Sequence, residues 1–223
     1  MQYYFIGGLG GNSYHLAPLI EKLGFPVTFL DPYRKMIQTE NDLRAWFQEQ
    51  IGQVEEICLF GHSLGGDLAR YLSAEFPQIQ ALILLDGGYL DMEKILPLEE
   101  ELEGTASFMK QQVFATLEEA VLSELGEEAD PTPIARKAVE ASYRWNPASE
   151  QYELNLDLEK VMALLRLRRQ MRTYQIPLAD LPVLFIGPRY QEEPEWRKDA
   201  LKQLDPQIKQ VLLEGLGHEL YTE

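Results

Sequence analysis

"EEICLFGHSLGGDLARYL", Glu55 to Leu72, decides how this chain is read. It begins as an apolar run, passes through a serine between glycines, and continues with apolar residues at helical spacing. A short apolar run bounded by a turn signal reads as a buried strand. Leu64, Leu68, Tyr71 and Leu72 then share one helical face, and Pro77 marks the helix end. Gly61-His62-Ser63-Leu64-Gly65 therefore stands at a strand-to-helix turn. The G-x-S-x-G pattern alone occurs often by chance; in this setting it describes a tight, strained turn that holds a serine clear of a sheet. The residues two before and two after the serine must be small because backbones crowd there, and Gly61 and Gly65 are. The turn also sets Ser63 at a helix N-terminus, where free N–H groups stabilise a developing anion.

The surroundings repeat the strand–helix rhythm. "YYFIG" (3–7), "VTFLD" (27–31), "EICLFG" (56–61) and "ALILLD" (81–86) read as strands. Helices are expected between them: one carrying Leu16, Leu19, Ile20 and Leu23 and stopped by Gly24, another from about Thr39 to Ile51 with Thr39 and Asp42 as a capping pair. Continuous apolar strands alternating with helices predict an α/β fold: a mostly parallel sheet with helices on both faces. The rhythm breaks after Asp86. Residues 88–178 show no strand pattern and three helical ones, at about 107–125, 133–143 and 157–173, so they read as a helical insertion, a cap, in a core made of 1–87 and 179–223. Alternation resumes with "LPVLFIG" (181–187), a helix from about Pro194 to Leu204 and "KQVLLEG" (209–215).

Composition narrows the function. The 223 residues suit one globular domain with an insertion. The formal net charge of −16 repels phosphate backbones and anionic membranes, so nucleic acid is not an expected partner. The basic stretch "LRLRRQMR" (165–172) reads as a solvated helix face paired with nearby glutamates. No apolar run approaches the ~18 residues of a membrane helix, and no basic, apolar leader opens the chain. A single cysteine, Cys58, rules out an internal disulfide framework and fits a reducing cytoplasm; in its apolar run it reads as a buried strand residue. One cysteine and three scattered histidines show no metal-ligand spacing, so no metal and no cofactor are expected.

A serine nucleophile needs a base. His62 adjoins Ser63, and neighbouring side chains on this turn point apart. His15 lies at the start of the first helix, where a surface or capping role fits. His218, in "EGLGHEL", follows the last expected strand, and loops after parallel strands share the sheet edge on which Ser63 stands. His218 is the candidate base.

Glycine-rich loop (7–11), elbow, helical insertion, late strand and terminal "LGH" (216–218) come in the order of the α/β-hydrolase superfamily, and nearly the whole chain resembles its capped form. The family usually has further N-terminal strands and a helix after the histidine, so the chain looks like a minimal version. The resemblance implies a serine hydrolase without cofactor, with the backbone N–H groups of Leu9 and Leu64 as an oxyanion hole. It also implies a carboxylate orienting His218. The usual position, three residues past Gly187, is Tyr190, which cannot serve. Glu192 and Glu193 are close by; Asp86, at the end of "ALILLD", is the other choice, matching relatives that carry the acid there, and it is favoured.

A rival reading attaches to Gly7-Gly8-Leu9-Gly10-Gly11-Asn12-Ser13. With Asp31 ending the next strand, this approaches a dinucleotide-binding fingerprint. Ser13 replaces the wanted Gly or Ala, and the reading leaves Ser63 and His218 unexplained. The expected activity is hydrolysis of a small carboxylic ester or related acyl compound through an acyl-enzyme. The alternative is a hydrolase-like module that binds a small ligand without turning it over. Phe108, Phe114, Tyr143, Trp145 and Tyr152 are the candidates for an acyl pocket, or else for the core of the cap.

Overall fold

The structure, a computed structural model, describes residues 1–126, 131–178 and 180–222. The first half alternates as β1 (Gln2–Ile6), α1 (Ala17–Leu23), β2 (Thr28–Leu30), α2 (Glu40–Ile51), β3 (Ile57–His62), α3 (Leu64–Glu75) and β4 (Ile79–Leu85). The local reasons are those read from the sequence. Gly24 ends α1 in a left-handed conformation, with φ 72°. Thr39 and Asp42 form a reciprocal capping box at the start of α2. All six residues of β3 are buried, so its apolar run has no solvent face to alternate toward.

The middle of the chain departs from the expected all-helical insertion. It holds α4 (Leu98–Gln111), β5 (Val113–Phe114), α5 (Leu117–Leu125), α6 (Pro133–Ser142), β6 (Tyr143–Asn146), β7 (Gln151–Leu154) and α7 (Leu158–Met171). The single helix expected over 107–125 is thus two helices broken by β5, because Thr116 caps a new helix by accepting from the Glu119 N–H. β5, β7 and β6 make a three-stranded antiparallel sheet that the helical reading missed. The chain then returns with β8 (Val183–Arg189), α8 (Glu195–Lys202) and β9 (Lys209–Glu214).

The main sheet has the order β2-β1-β3-β4-β8-β9, and all of its pairings are parallel. The chain runs outward from β1 to β2, then crosses back to β3 on the other side of β1. The loops after β1 and β3 therefore stand side by side at the carboxyl edge of the sheet, where the strand order reverses. One face of the sheet is covered by α2, α3 and, unexpectedly, α7: Val161, Leu164, Leu165 and Leu167 belong to the same core as Ile6, Leu59 and Leu68. The other face is covered by α1 and by Leu220 and Tyr221 near the chain end.

Burial also corrects the reading of "LRLRRQMR". Arg169 is buried, donating to Glu101 at 2.8 Å and to the Leu96 carbonyl at 2.7 Å. Arg168 pairs with Glu101 as well. The expected glutamate pairing exists, but inside the α4–α7 contact rather than on a solvated face. A separate small core, built from Ala120, Val121, Val139 and Tyr143, lies under the three-stranded sheet. Among the described residues, no helix is long and apolar enough to cross a membrane.

Candidate active site

Ser63 sits between β3 and α3 with φ 52° and ψ −126°, a region few residues other than glycine adopt. Its neighbours hold it there. A Cβ on Gly65 would stand 2.2 Å from the Ile6 carbonyl oxygen, so only glycine lets α3 approach β1. A Cβ on Gly87 would stand 2.3 Å from the Ser63 carbonyl oxygen, so the turn after β4 presses on the serine's own backbone. The Ser63 N–H donates to the Leu85 carbonyl at 3.2 Å. Leu64 is the first residue of α3, with its N–H at the open end of the helix.

The glycine-rich loop after β1 packs against this elbow: a Cβ on Gly8 would meet Ser63 Cβ at 2.9 Å and His62 Nδ1 at 3.0 Å. Leu9 is the next residue of that loop. The same observation weighs against dinucleotide binding. In that fingerprint the helix starts within the glycines and aims its N-terminus at a phosphate, whereas α1 begins only at Ala17 and the loop faces Ser63. His15 accepts the Asn12 N–H on Nδ1 at 3.2 Å, a loop contact outside the site.

Asp86 and His218 meet. They are 132 residues apart in sequence, and Oδ2 lies 2.7 Å from Nδ1. Asp86 follows β4 with a left-handed φ of 42°, and its N–H is fixed on the Ile186 carbonyl at 2.8 Å. His218 sits on the loop after β9 with its side chain 45% exposed, against 6% for Asp86. Glu192 and Glu193, the other candidate acids, do not meet His218: Glu193, just before α8, pairs with Arg197, and Glu192 is exposed.

Arg197, which the sequence reading did not single out, is the hub behind Asp86. It is buried. Its Nη2 donates to Asp86 Oδ1 at 3.0 Å and to the Pro188 carbonyl at 2.9 Å, and its Nε donates to the Tyr89 hydroxyl at 3.0 Å. Tyr89 in turn donates to Asp86 Oδ1 at 3.2 Å. An arginine in a polar helix such as "EWRKDALK" carries no sign of this burial; only the Asp86 contact reveals it.

Charge follows from these contacts. Burial works to raise the Asp86 carboxyl, but the hydrogen bonds from His218 and Arg197, with the Arg197 charge, outweigh it and hold the group below its ordinary value. The Asp86 hydrogen bond raises His218 above the ordinary imidazole value, against the opposing effect of desolvation. His62 behaves oppositely. Burial, then the neighbouring His218, lowers it to about 3, so it is neutral. Its Nε2 donates to the His218 carbonyl at 3.0 Å, and its ring packs on those of His218 and Tyr221. His62 thus pins the loop that carries His218. Cys58 is buried, with its thiol pushed up to about 11 by desolvation, which removes it as a nucleophile.

The stretch between β4 and β8 reaches the glycine-rich loop. Asn12, in the glycine-rich loop, donates to the Ala138 carbonyl at 2.9 Å and to Ser142 Oγ at 3.0 Å, both on α6. Of the aromatic candidates, Tyr143 is buried in the small core and meets Phe114 edge-on at 5.4 Å, while Trp145 packs edge-on against Tyr152 at 5.1 Å. Phe108 and Trp145 are about half exposed.

Comparison with known proteins agrees with this architecture. A family model described as alpha/beta hydrolase fold matches residues 4–186. The chain belongs to that family and is a hydrolase of the α/β-hydrolase class. Among solved structures it is similar to E-2-(acetamidomethylene)succinate hydrolase, at 17% identity over 98% of this chain and 86% of that chain, with a TM-score of 0.71. It is similar to the thioesterase domain from the curacin biosynthetic pathway, at 16% identity over 99% and 86%, with a TM-score of 0.67. A marine microorganism esterase matches at 17% identity over 100% and 90%, with a TM-score of 0.63. At these identities the likeness is one of fold. No curated protein matches the chain.

Proposed function

We propose that the protein is a serine hydrolase of a small carboxylic ester or related acyl compound, working through an acyl-enzyme with Ser63, His218 and Asp86 as its triad. The observation that carries this is the 2.7 Å contact between Asp86 and His218 Nδ1, at the sheet edge where Ser63 stands in a strained turn. Asp86 holds the proton on Nδ1, which leaves the Nε2 lone pair of His218 to act as base. Ser63 Oγ attacks the acyl carbon while His218 takes its proton. The carbonyl oxygen becomes an anion, received by the N–H groups of Leu9 and Leu64. As the tetrahedral species collapses, the bond to the leaving group breaks and His218 returns the proton to it. Water then repeats the sequence and releases the acid. Asp86 stabilises the imidazolium formed in each step, and Arg197 with Tyr89 keeps Asp86 ionised and aimed.

The chemistry asks nothing of a cofactor. The elements α4, α5, α6 and the β5-β7-β6 sheet, tied to the glycine-rich loop through Asn12, are assigned as the roof of the acyl site, with Phe108 and Trp145 offering exposed apolar surface. Esterase and thioesterase activities among the structural neighbours are compatible with this substrate class.

A fluorophosphonate probe tests the reading. Wild type is expected to be labelled at Ser63, and Ser63→Ala to lose labelling and at least 10³-fold in ester turnover while keeping its melting temperature. A well-folded wild type that neither labels nor turns over a panel of acyl esters would instead favour the ligand-binding alternative.

A further inference from the structure

His62 has one ring nitrogen committed and one bare. Because a carbonyl oxygen only accepts, the 3.0 Å contact between Nε2 and the His218 carbonyl places the proton on Nε2 and leaves a lone pair on Nδ1. Nδ1 is buried and has no hydrogen-bond partner among the described residues. The charged group it faces is the Glu219 carboxylate, with Oε2 at 3.8 Å. The lone pair and the carboxylate, which also takes a hydrogen bond from Tyr221, are two acceptors facing each other, an arrangement completed by a cation. His218 is set in the same way: its Nδ1 is held by Asp86 at 2.7 Å, so its donor atom is Nε2. One ligand atom from each of His62, His218 and Glu219 lies within 4.8 Å of the others. Gly8 keeps the lone-pair side open, since a Cβ there would stand 3.0 Å from Nδ1.

We propose that His62 Nδ1, His218 Nε2 and a Glu219 carboxylate oxygen form a reversible inhibitory site for a transition-metal dication of the Zn²⁺ type. Two imidazoles and one carboxylate are a donor set that suits zinc, whereas Mg²⁺ and Ca²⁺ prefer oxygen alone. Both histidines already have the support that metal-bound imidazoles require, each with its far nitrogen anchored, one on a carbonyl and one on a carboxylate. Zinc–donor bonds of about 2.0–2.2 Å put two donors on one tetrahedral ion roughly 3.3 Å apart. The 3.8 Å separation of His62 and Glu219 closes to that value by a small swing of Glu219, whose side chain is 57% exposed. The electrostatics favour a cation: Asp86 stands behind His218, Glu124 on α5 lies within electrostatic reach of Glu219, and the whole chain carries −16. An ion on His218 Nε2 occupies the lone pair that the base must use. The inhibitory effect rests on the serine-hydrolase reading; the binding does not.

Calorimetric titration of metal-free wild type and Ser63→Ala with ZnCl₂ separates the two. Saturable one-to-one binding in the micromolar range is expected in both proteins. His62→Phe and Glu219→Gln should each weaken it by about tenfold or more, the scale of losing a ligand or its support, and His15→Gln should leave it unchanged. Zinc should block fluorophosphonate labelling of wild type in step with binding, and EDTA should restore it. Absence of saturable zinc binding, or equal affinity in wild type, His62→Phe and Glu219→Gln, would overturn the site. Glu219→Gln lies on an exposed side chain and keeps the test decisive if His62→Phe does not fold. Binding that leaves labelling untouched would overturn the inhibitory role. Labelling absent even with EDTA present would sink the serine-hydrolase reading, while the calorimetry still decides the metal site.

Discussion

The carboxyl edge of the parallel sheet and the region around β5–β7 differ in how tightly their backbones are specified. At the edge, a Cβ on Gly61, Gly65, Gly66 or Gly87 would fall within 3 Å of neighbouring backbone. In α4 and after α5, Gly104 and Gly126 meet nothing within 4 Å. Ser63 and Asp86, two of the few non-glycine residues with positive φ, both lie on the edge. The small core under the antiparallel sheet has four buried hydrophobic members, while the main core reaches from β1 to α8. Strain is held where packing over-determines the backbone, and the proposed triad is drawn from there. The region around β5–β7 shows fewer such close backbone approaches.

The largest test of this contrast is Asp86→Asn. It should lower kcat/KM by about 10³–10⁴-fold, the scale of a triad histidine left in the wrong tautomer. The pH profile gives the sign. His218 must be neutral to act as base, and Asp86 raises its pKa above the ordinary 6.5. Measured with EDTA present, the wild-type rate should therefore fall on the acid side through a value above 6.5, and Asp86→Asn should move that limb to lower pH. An unchanged rate would return the acid role to a loop glutamate. Gly65→Ala comes next. Its Cβ has only the backbone of β1 and the following loop to displace, so a loss of about 4 kcal/mol in urea unfolding is expected. A loss under 1 kcal/mol would show that the edge yields as readily as the region around β5–β7.

Arg197→Met should cost about 3 kcal/mol, because it leaves the Asp86 carboxylate buried without its cation. It should also shift the acid limb of the rate profile, which a purely structural arginine would not do. The smallest effect is expected in the looser region. Gly104→Ala, in the middle of α4 with open space around it, should stabilise by about 0.5–1 kcal/mol, since alanine loses less backbone freedom on folding. Destabilisation there would mean that the region is packed more tightly than its contacts indicate.

The two regions also differed in how far they could be read from sequence. β1 to β4 and their helices carry long apolar runs, a capping box and glycine stops, all local signals. β5, with two residues, and β6 and β7, with four each, offer too few positions for a period to emerge. A faint sign existed: Tyr143 and Trp145 alternate, Tyr152 and Leu154 alternate, and "NPASE" between them is turn chemistry. The basic stretch on α7 reads as exposed because its partner, Glu101, is more than sixty residues away.

What the sequence by itself determined is whatever rests on neighbours along the chain: the strand–helix alternation, the elbow with its small flanking residues, and the ends of the helices. Which groups meet Ser63 and His218 was decided by tertiary structure. Asp86, Glu192 and Glu193 are equally good carboxylates in a list of letters. They are separated by the strand order that brings the end of β4 beside the loop after β9 and turns Glu193 toward Arg197. The burial of Arg197 and the bare Nδ1 of His62 belong to the same class. A hydrogen bond or an unpaired lone pair depends on angstrom-scale distances between segments more than a hundred residues apart, and such distances are set by how whole layers pack.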